Sequence, residues 1–225
     1  AQCQPMEDSM NSLQISGLIT SPPLRILTPA LNVWKCMIKD LANEWAPDDV
    51  PWWHTERTLV GLLASSVWRC GGLAIEEYAT EKKVRKPKAI KKSWQGDLWF
   101  QIKNRSFLAE AKKRYWSLDG KINGRSKRIK VGLRMARKDV VRTRRYDKSE
   151  TRLGIYFWVP WRLKSKGDVT DGQIRAWVGE LHKIKNAAVV WTFPRVARQV
   201  KDKDQSNGKW YYYPGVVMLM KQPRL

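Results

Sequence analysis

The chain has 225 residues, of which 43% are hydrophobic, and it carries 43 lysines and arginines against 21 aspartates and glutamates. That length and that apolar fraction suit one domain, or a main domain with a small appendage, and they exclude wholesale disorder. The formal net charge of +22 indicates a polyanionic partner, most often nucleic acid, with an anionic membrane as the weaker alternative.

Cysteine and histidine are too sparse for several common kinds of site. Three cysteines that stand far apart argue against a secreted disulfide scaffold and for a reducing compartment. With only His54 and His182, a zinc finger or a histidine-based metal site is not expected. The longest mainly apolar stretch, residues 59–68, has about half the length that a membrane span needs. We therefore expect a soluble, cytoplasmic protein with no membrane partner.

The positive charge is concentrated in the middle of the chain. Residues 1–81 hold 5 basic and 10 acidic groups, residues 82–148 hold 24 and 5, and residues 149–225 hold 14 and 6. Aromatic residues are interleaved with the basic ones in the segment 82–148, a combination typical of nucleic-acid contact. The alternative is a lysine-rich surface that is merely solvated.

The N-terminal part of the chain predicts a single helix. Ser-Pro and Thr-Pro pairs within residues 1–30 favour extended or turn structure. Residues 31–45 predict a helix, which ends before Pro47. We interpret residues 1–55 as an N-terminal extension and residues 56–225 as the main domain.

A long second helix is predicted next. Thr55 is a suitable N-cap, and apolar residues recur at i, i+3 and i+4 from Glu56 to about Lys83. The glycine pair 71–72 in its middle predicts a kink or a close approach of a neighbouring backbone. Glu77 continues the apolar stripe of this helix, whereas Glu76 lies about a hundred degrees away from it.

The remaining elements are strands and helices in mixed order. Two strand-like runs, 96–102 and 106–114, flank a short turn and predict a hairpin. A basic helix, a strand, an amphipathic helix and two more strands follow, and their predicted ranges are 126–146, 152–159, 171–186, 187–193 and 211–220. The order predicts a mixed α/β fold rather than a solenoid or an all-β barrel.

Two carboxylates and a lysine are predicted to meet at one end of the hairpin. Asp97 stands at the head of the first strand, and Glu110 and Lys112 point to one face of the second, because side chains alternate along a strand. Since the hairpin returns the second strand alongside the first, Asp97 can reach Glu110. Converging carboxylates suit Mg²⁺, which keeps several waters and needs only one or two protein carboxylates.

This spacing resembles a known nuclease motif. Gly96-Asp97, then twelve residues, then Glu110-Ala111-Lys112 is similar to the motif of the PD-(D/E)XK nuclease superfamily, with glycine in place of its proline. The resemblance implies a restriction-endonuclease-like mixed β-sheet core flanked by helices. It also implies that Asp97 and Glu110 hold a metal, that the backbone carbonyl of Ala111 is a further ligand, and that Lys112 serves the attacking water.

The resemblance covers about residues 56–162 and implies a third acidic ligand on the first helix of that core. Glu77 is our choice, because it is predicted to project from the face that packs against the sheet, and Glu76 is the reserve. The sequence outside this core does not identify a branch of the superfamily.

Basic residues near the motif and on the following helix are assigned to phosphate contacts, which give affinity without sequence readout. They are Lys91, Lys92, Lys103, Arg105, Lys113, Arg114, Arg142, Arg144 and Arg145.

The leading hypothesis is a Mg²⁺-dependent endodeoxyribonuclease that hydrolyses phosphodiester bonds of double-stranded DNA, with Mn²⁺ as a substitute for Mg²⁺. The alternatives are a non-catalytic DNA- or RNA-binding protein with structural carboxylates, and an RNA-binding component of a larger particle. Because cutting both strands usually needs two active sites, a homodimer or a partner protein is a reasonable expectation. The DNA feature recognised stays open, and so does the choice between defence, recombination, transposition and repair.

Overall fold

The computed structural model describes residues 15–80, 94–119, 122–143 and 149–223. Within these ranges a mixed sheet lies between two layers of helices. The α/β class expected from the order of elements is therefore confirmed. In the same ranges, no helix is long and apolar enough to cross a membrane.

Nine strands and four helices form the described fold. The strands are β1 (Ile15–Thr20), β2 (Leu73–Thr80), β3 (Trp94–Ile102), β4 (Arg105–Ser117), β5 (Thr151–Leu163), β6 (Ala188–Phe193), β7 (Lys201–Lys203), β8 (Trp210–Tyr212) and β9 (Val216–Lys221). The helices are α1 (Thr28–Trp45), α2 (Glu56–Arg69), α3 (Ile122–Arg142) and α4 (Asp171–Leu181). Short 3-10 turns occupy Pro22–Leu27, Lys164–Lys166 and Val196–Gln199.

The main sheet has the order β1-β6-β9-β5-β4-β3-β2. Neighbours along it are antiparallel except β4 and β5, which are parallel and are joined through α3. A parallel pair needs such a crossover connection, and α3 packs back onto both of its strands. The β7–β8 hairpin adds a small ribbon to the C-terminal end of β5.

The two faces of the sheet have separate cores. On one face α1 and α2 bury residues such as Trp34 and Leu59, and on the other face α4 buries Trp177 against Trp158 of β5, with α3 beside it. Residues 153–159 of β5 are buried throughout. A strand covered on both faces has a nearly continuous apolar sequence, which is why this strand was the easiest one to predict.

Most predicted elements are present, with shifted ends. The first helix begins at Thr28 rather than at residue 31, the predicted strand 211–220 is divided into β8 and β9, and the polar loop before it contains β7. Residues 15–20, for which extended structure was expected, form the edge strand β1, paired with β6. The first 14 residues lie outside the described ranges.

The predicted helix from Glu56 to Lys83 is wrong between Cys70 and Thr80, and residues 81–83 lie outside the described ranges. Gly71 has a φ of 75°, a left-handed conformation that favours glycine and ends the helix. At Gly72 a Cβ would lie 2.5 Å from the carbonyl oxygen of Gln101, so only glycine fits where the chain turns against β3. The following residues form β2, and Glu76 and Glu77 therefore lie on a strand instead of a helix.

Candidate active site

The motif residues lie where β3 separates from β4. Pairing between these two strands begins at Leu98 and Ala109, whereas the pairing of β3 with β2 continues to Trp94. The backbone N–H groups of β4 beyond Ala109 that point away from β5 therefore need acceptors other than a neighbouring strand.

Two carboxylates take the place of the missing strand. Oδ2 of Asp97 accepts a hydrogen bond from the backbone N–H of Ala111 at 2.7 Å. The carboxylate of Glu56, the first residue of α2, accepts from the backbone N–H of Lys113. Asp97 and Glu56 are thus fixed along the same edge of β4 by the strand itself.

Gly96, which precedes Asp97, is required by its neighbour on β2. A Cβ at this position would lie 2.3 Å from Cζ of Tyr78, so the tyrosine ring crosses β3 where any other side chain would stand. This contact accounts for glycine at the position that the nuclease motif gives to proline.

On β4, Glu110 and Lys112 both face the C-terminal end of α3, as their alternation along the strand predicts. Glu110 is 2% exposed, and Oγ1 of Thr143 donates to its Oε1 at 2.9 Å. The ammonium of Lys112 lies 3.4 Å from Oδ2 of Asp139. α3 comes this close because β5 has Gly154 beneath it, where a Cβ would lie 2.7 Å from a backbone nitrogen of the helix.

Lys112 is the centre of charge at the site. Burial, the largest single effect, lowers its pKa, but the carboxylates of Glu56, Asp97, Asp139 and Glu110 together raise the pKa above its ordinary value. The lysine is therefore a cation at neutral pH, placed among acids that come from three other elements and from its own strand.

Glu56 is the site residue that the sequence analysis missed. Burial raises its pKa above the ordinary value, with Asp97 adding to the rise, while Lys112, Arg114 and the N–H of Lys113 oppose it. The sequence did contain a signal, because an acid directly after the N-cap Thr55 starts the helix predicted to carry the third ligand. The apolar stripe that includes residue 77 indicates Glu77 instead.

Glu77 lies beside the site but in another role than expected. The pairs that flank it place it opposite Asp97 on β2, and its φ of 49° is unusual for a residue other than glycine. Its Oε1 lies 2.7 Å from Nε of Arg57. Asp97, Glu56 and this ion pair line a cavity of about 330 Å³, together with Val60 and Glu76.

The oxygen donors of the site suit a hard cation, although the side chains do not converge on one point. As the side chains stand, the described residues contain no group of three or more histidine, cysteine, aspartate and glutamate side chains that could hold a metal ion. Mg²⁺ needs only one or two protein carboxylates, and the four acidic side chains that act on Lys112 offer carboxylate oxygens. The residues present therefore fit Mg²⁺ better than a softer metal.

The basic residues assigned to phosphate contacts differ in their surroundings. Lys103 and Arg114 are exposed, and Arg142 is half-buried. Arg105 donates to the carbonyl of Pro23 at 3.1 Å, and the ammonium of Lys113 is hydrogen-bonded within the protein. The other four residues lie outside the described ranges, namely Lys91, Lys92, Arg144 and Arg145.

Comparison with known proteins gives no relative for this chain. No protein-family model, no curated protein and no solved structure matches it.

Proposed function

We propose that the chain is a Mg²⁺-dependent endodeoxyribonuclease of the PD-(D/E)XK type that hydrolyses phosphodiester bonds in double-stranded DNA. The observation that carries this proposal is the gathering of Asp97, Glu56 and Glu110 around Lys112 at the point where β3 leaves β4. The order of the surrounding elements supports the proposal too, because a helix, the strand β2, a hairpin, a basic crossover helix and a parallel strand follow one another along the chain.

Asp97, Glu110 and the backbone carbonyl of Ala111 would hold the ion, and Glu56 takes the part that the sequence assigned to Glu77. Glu56 is preferred because it lies in the field of Lys112 and Asp97, while Glu77 is paired with Arg57. Mn²⁺, which also binds carboxylate oxygen, is expected to replace Mg²⁺.

Lys112 and the carboxylates of Asp97 and Glu56 have different roles at the scissile phosphate. A bound Mg²⁺ supplies a lowered pKa for a water and neutralises charge on the phosphoryl group. The ammonium of Lys112 donates hydrogen bonds, so it can orient the attacking water and stabilise charge that develops on the phosphate oxygens. Asp97 and Glu56 are fixed by the β4 backbone and keep these groups in place during the reaction.

The basic segment 82–148 would bind DNA next to the site where β3 separates from β4. Residues 82–148 carry 24 of the 43 basic groups of the chain, and α3 exposes Arg134 and Lys138 next to the site. Contacts of this kind read phosphate rather than sequence, so binding should weaken steeply with salt. Cutting both strands of a duplex would use a second copy or a partner nuclease.

A supercoiled-plasmid nicking assay in Mg²⁺, Mn²⁺ and EDTA tests the proposal, with Asp97→Ala beside the unchanged protein. We expect metal-dependent nicking that falls at least about 100-fold in the variant, because a metal carboxylate is lost. DNA binding should be retained, since the variant presents less negative charge to the phosphates. Asp40→Asn on the exposed side of α1 is the matched control and should cut normally. Normal cutting by Asp97→Ala would refute the assigned site.

A second candidate is a nucleic-acid-binding protein without catalysis. It is favoured by the contacts that already occupy the motif, since Glu110 accepts from Thr143 and Lys112 pairs with Asp139. The two candidates differ in their response to metal, because an ion that binds only the native state must raise the melting temperature. Retained DNA binding, with neither a metal-induced rise nor cutting, would favour this second candidate.

A further inference from the structure

Two residues at the C-terminal end of α3, Asp139 within the helix and Thr143 directly after it, contact the Glu-x-Lys motif. Asp139 and Thr143 are four residues apart, and they contact Lys112 and Glu110, which are two residues apart on β4. Four residues advance about 6 Å along a helix and two residues about 6.6 Å along a strand, so the two spacings match. The match lets one helix hold both motif side chains at once.

The contact between Thr143 and Glu110 is buried. Thr143 is 0% and Glu110 is 2% exposed, so the hydrogen bond of 2.9 Å between them satisfies a carboxylate that has little access to water. Thr143 is itself anchored, because its backbone carbonyl accepts from Nη2 of Arg152 at 2.5 Å. The orientation of Glu110 is therefore set from β5 through Thr143.

The contact between Asp139 and Lys112 is more open. Their side chains are 32% and 28% exposed, and the 3.4 Å separation of the charged atoms holds a flexible ammonium on the α3 side of the site. The other acids around this lysine are Glu56, Asp97 and Glu110. Of these four, Asp139 is the one acid to which the proposed function gives no role at the metal.

We propose that Thr143 and Asp139 are positioning residues, through which α3 sets the geometry of the motif. Thr143 turns the Glu110 carboxylate so that it can bind the metal, and Asp139 keeps Lys112 over the water that attacks. Neither residue touches the substrate. This inference rests on the proposed metal-dependent nuclease function.

The role of Thr143 is tested with two variants that separate the effect of its hydroxyl group from the effect of its side-chain shape. Thr143→Val keeps the shape and removes the donor, whereas Thr143→Ser keeps the donor. We expect Thr143→Val to weaken the affinity for Mn²⁺ and Mg²⁺ by about 10-fold or more, as for other residues that orient a metal ligand, while Thr143→Ser stays near the unchanged protein. The measurements are the metal-induced rise in melting temperature and the metal concentration for half-maximal nicking.

Thr192→Val is the matched control. Thr192 is also 0% exposed, and its hydroxyl has no hydrogen-bond partner among the described residues, so its removal should leave the metal response unchanged. A normal metal titration in Thr143→Val would overturn the inference alone. An unchanged protein that responds to neither metal would instead overturn the proposed function on which the inference rests.

The Asp139 part has its own test, which does not need Thr143→Val to fold. Asp139→Asn is expected to lower kcat by about 10-fold without changing the metal concentration for half-maximal activity, and Asp139→Glu is expected to restore part of the loss. A merely structural role would not separate kcat from metal affinity in this way. Wild-type kcat in Asp139→Asn would overturn this part.

Discussion

Two neighbouring lysines on β4 lie in opposite surroundings. Lys112 faces α3 and stands among four carboxylates, which raise its pKa above the ordinary value. Lys113 faces the other way, where its ammonium donates to the carbonyl of His54 and, at 2.8 Å, to the hydroxyl of Tyr115. Burial lowers the pKa of Lys113 to about 8, although Glu56 acts in the opposite direction.

The charge of the neighbours, rather than burial, separates the two lysines. Both are half-buried. On the α3 side, acids from other elements compensate the burial of a charge, whereas on the other side the partners are neutral oxygens and the ring of Tyr115, 4.7 Å from the ammonium. A cluster of acids from several elements around one cation is typical of a functional site, and a neutral aromatic cluster is typical of packing.

The largest expected effect is the loss of cleavage when Lys112, but not Lys113, is replaced. Lys112→Met should reduce nicking by at least about 100-fold, because a positioned donor at the reacting water is lost. Lys113→Met should leave cleavage within about threefold, since its ammonium is bound within the protein. Lys112→Arg should not restore activity, because the guanidinium is larger and planar. Plasmid nicking under single-turnover conditions measures all three variants, and equal losses in both methionine variants would contradict the comparison.

The second largest effect is expected on metal affinity and cleavage when Glu56, one of the acids around Lys112, is replaced. Glu56→Gln should weaken metal affinity and cleavage about 10- to 100-fold, as expected for a metal ligand or its direct support. Glu77→Gln removes only an exposed ion pair with Arg57 and should change them by less than about fivefold. Metal titrations of nicking measure both variants, and a larger loss in Glu77→Gln would restore Glu77 as the third acid.

Glu56→Gln should also change the melting temperature in opposite directions with and without metal. The pKa of Glu56 is raised in the folded state, so its contribution to stability is present at acidic pH and is lost as the pH rises through that pKa. At neutral pH in EDTA, the neutral glutamine should therefore raise the melting temperature, by about 2–4 °C for 1 kcal/mol. On addition of Mg²⁺, the melting temperature of the unchanged protein should rise more than that of the variant. Thermal melts in both buffers measure the reversal, and a lower melting temperature in EDTA would contradict it.

The sequence predicts those parts of this site that depend on residues close together in the chain, and it does not predict those that depend on distant residues. Asp97, Glu110 and Lys112 could be predicted because strand alternation and a tight hairpin are local rules, and the structure has both. For Glu56 the sequence places an acid at the start of α2 but not its approach to the site, because that approach depends on where α2 begins relative to a strand more than 50 residues later. The predicted helix through Glu77 was wrong because the left-handed turn at Gly71 overrides an apolar pattern that Leu73 and Ala74 happen to continue.

The same limit applies to Lys113. Its sequence context, a basic run beside the motif, assigned it to phosphate contact together with Arg114. In the structure its ammonium is bound to His54 and Tyr115, which a basic run in the sequence does not reveal. Arg114 stays exposed. Local patterns thus predict which face of a strand a side chain occupies, while the partner on that face depends on tertiary packing.

The smallest expected effect is a pH dependence of stability on the Lys113 side. Because the folded-state pKa of about 8 lies below the ordinary 10.5, the unfolded chain binds more protons between these values, and stability should rise with pH across this window. Lys113 keeps some contact with solvent, so we expect only about 1 kcal/mol, or about 2–4 °C. Lys113→Met should lack this rise, whereas the exposed Lys103→Met should keep it. Melting temperatures from pH 7 to pH 10, taken as differences from the unchanged protein, cancel other groups, and the same slope in all three proteins would refute a depressed pKa at Lys113.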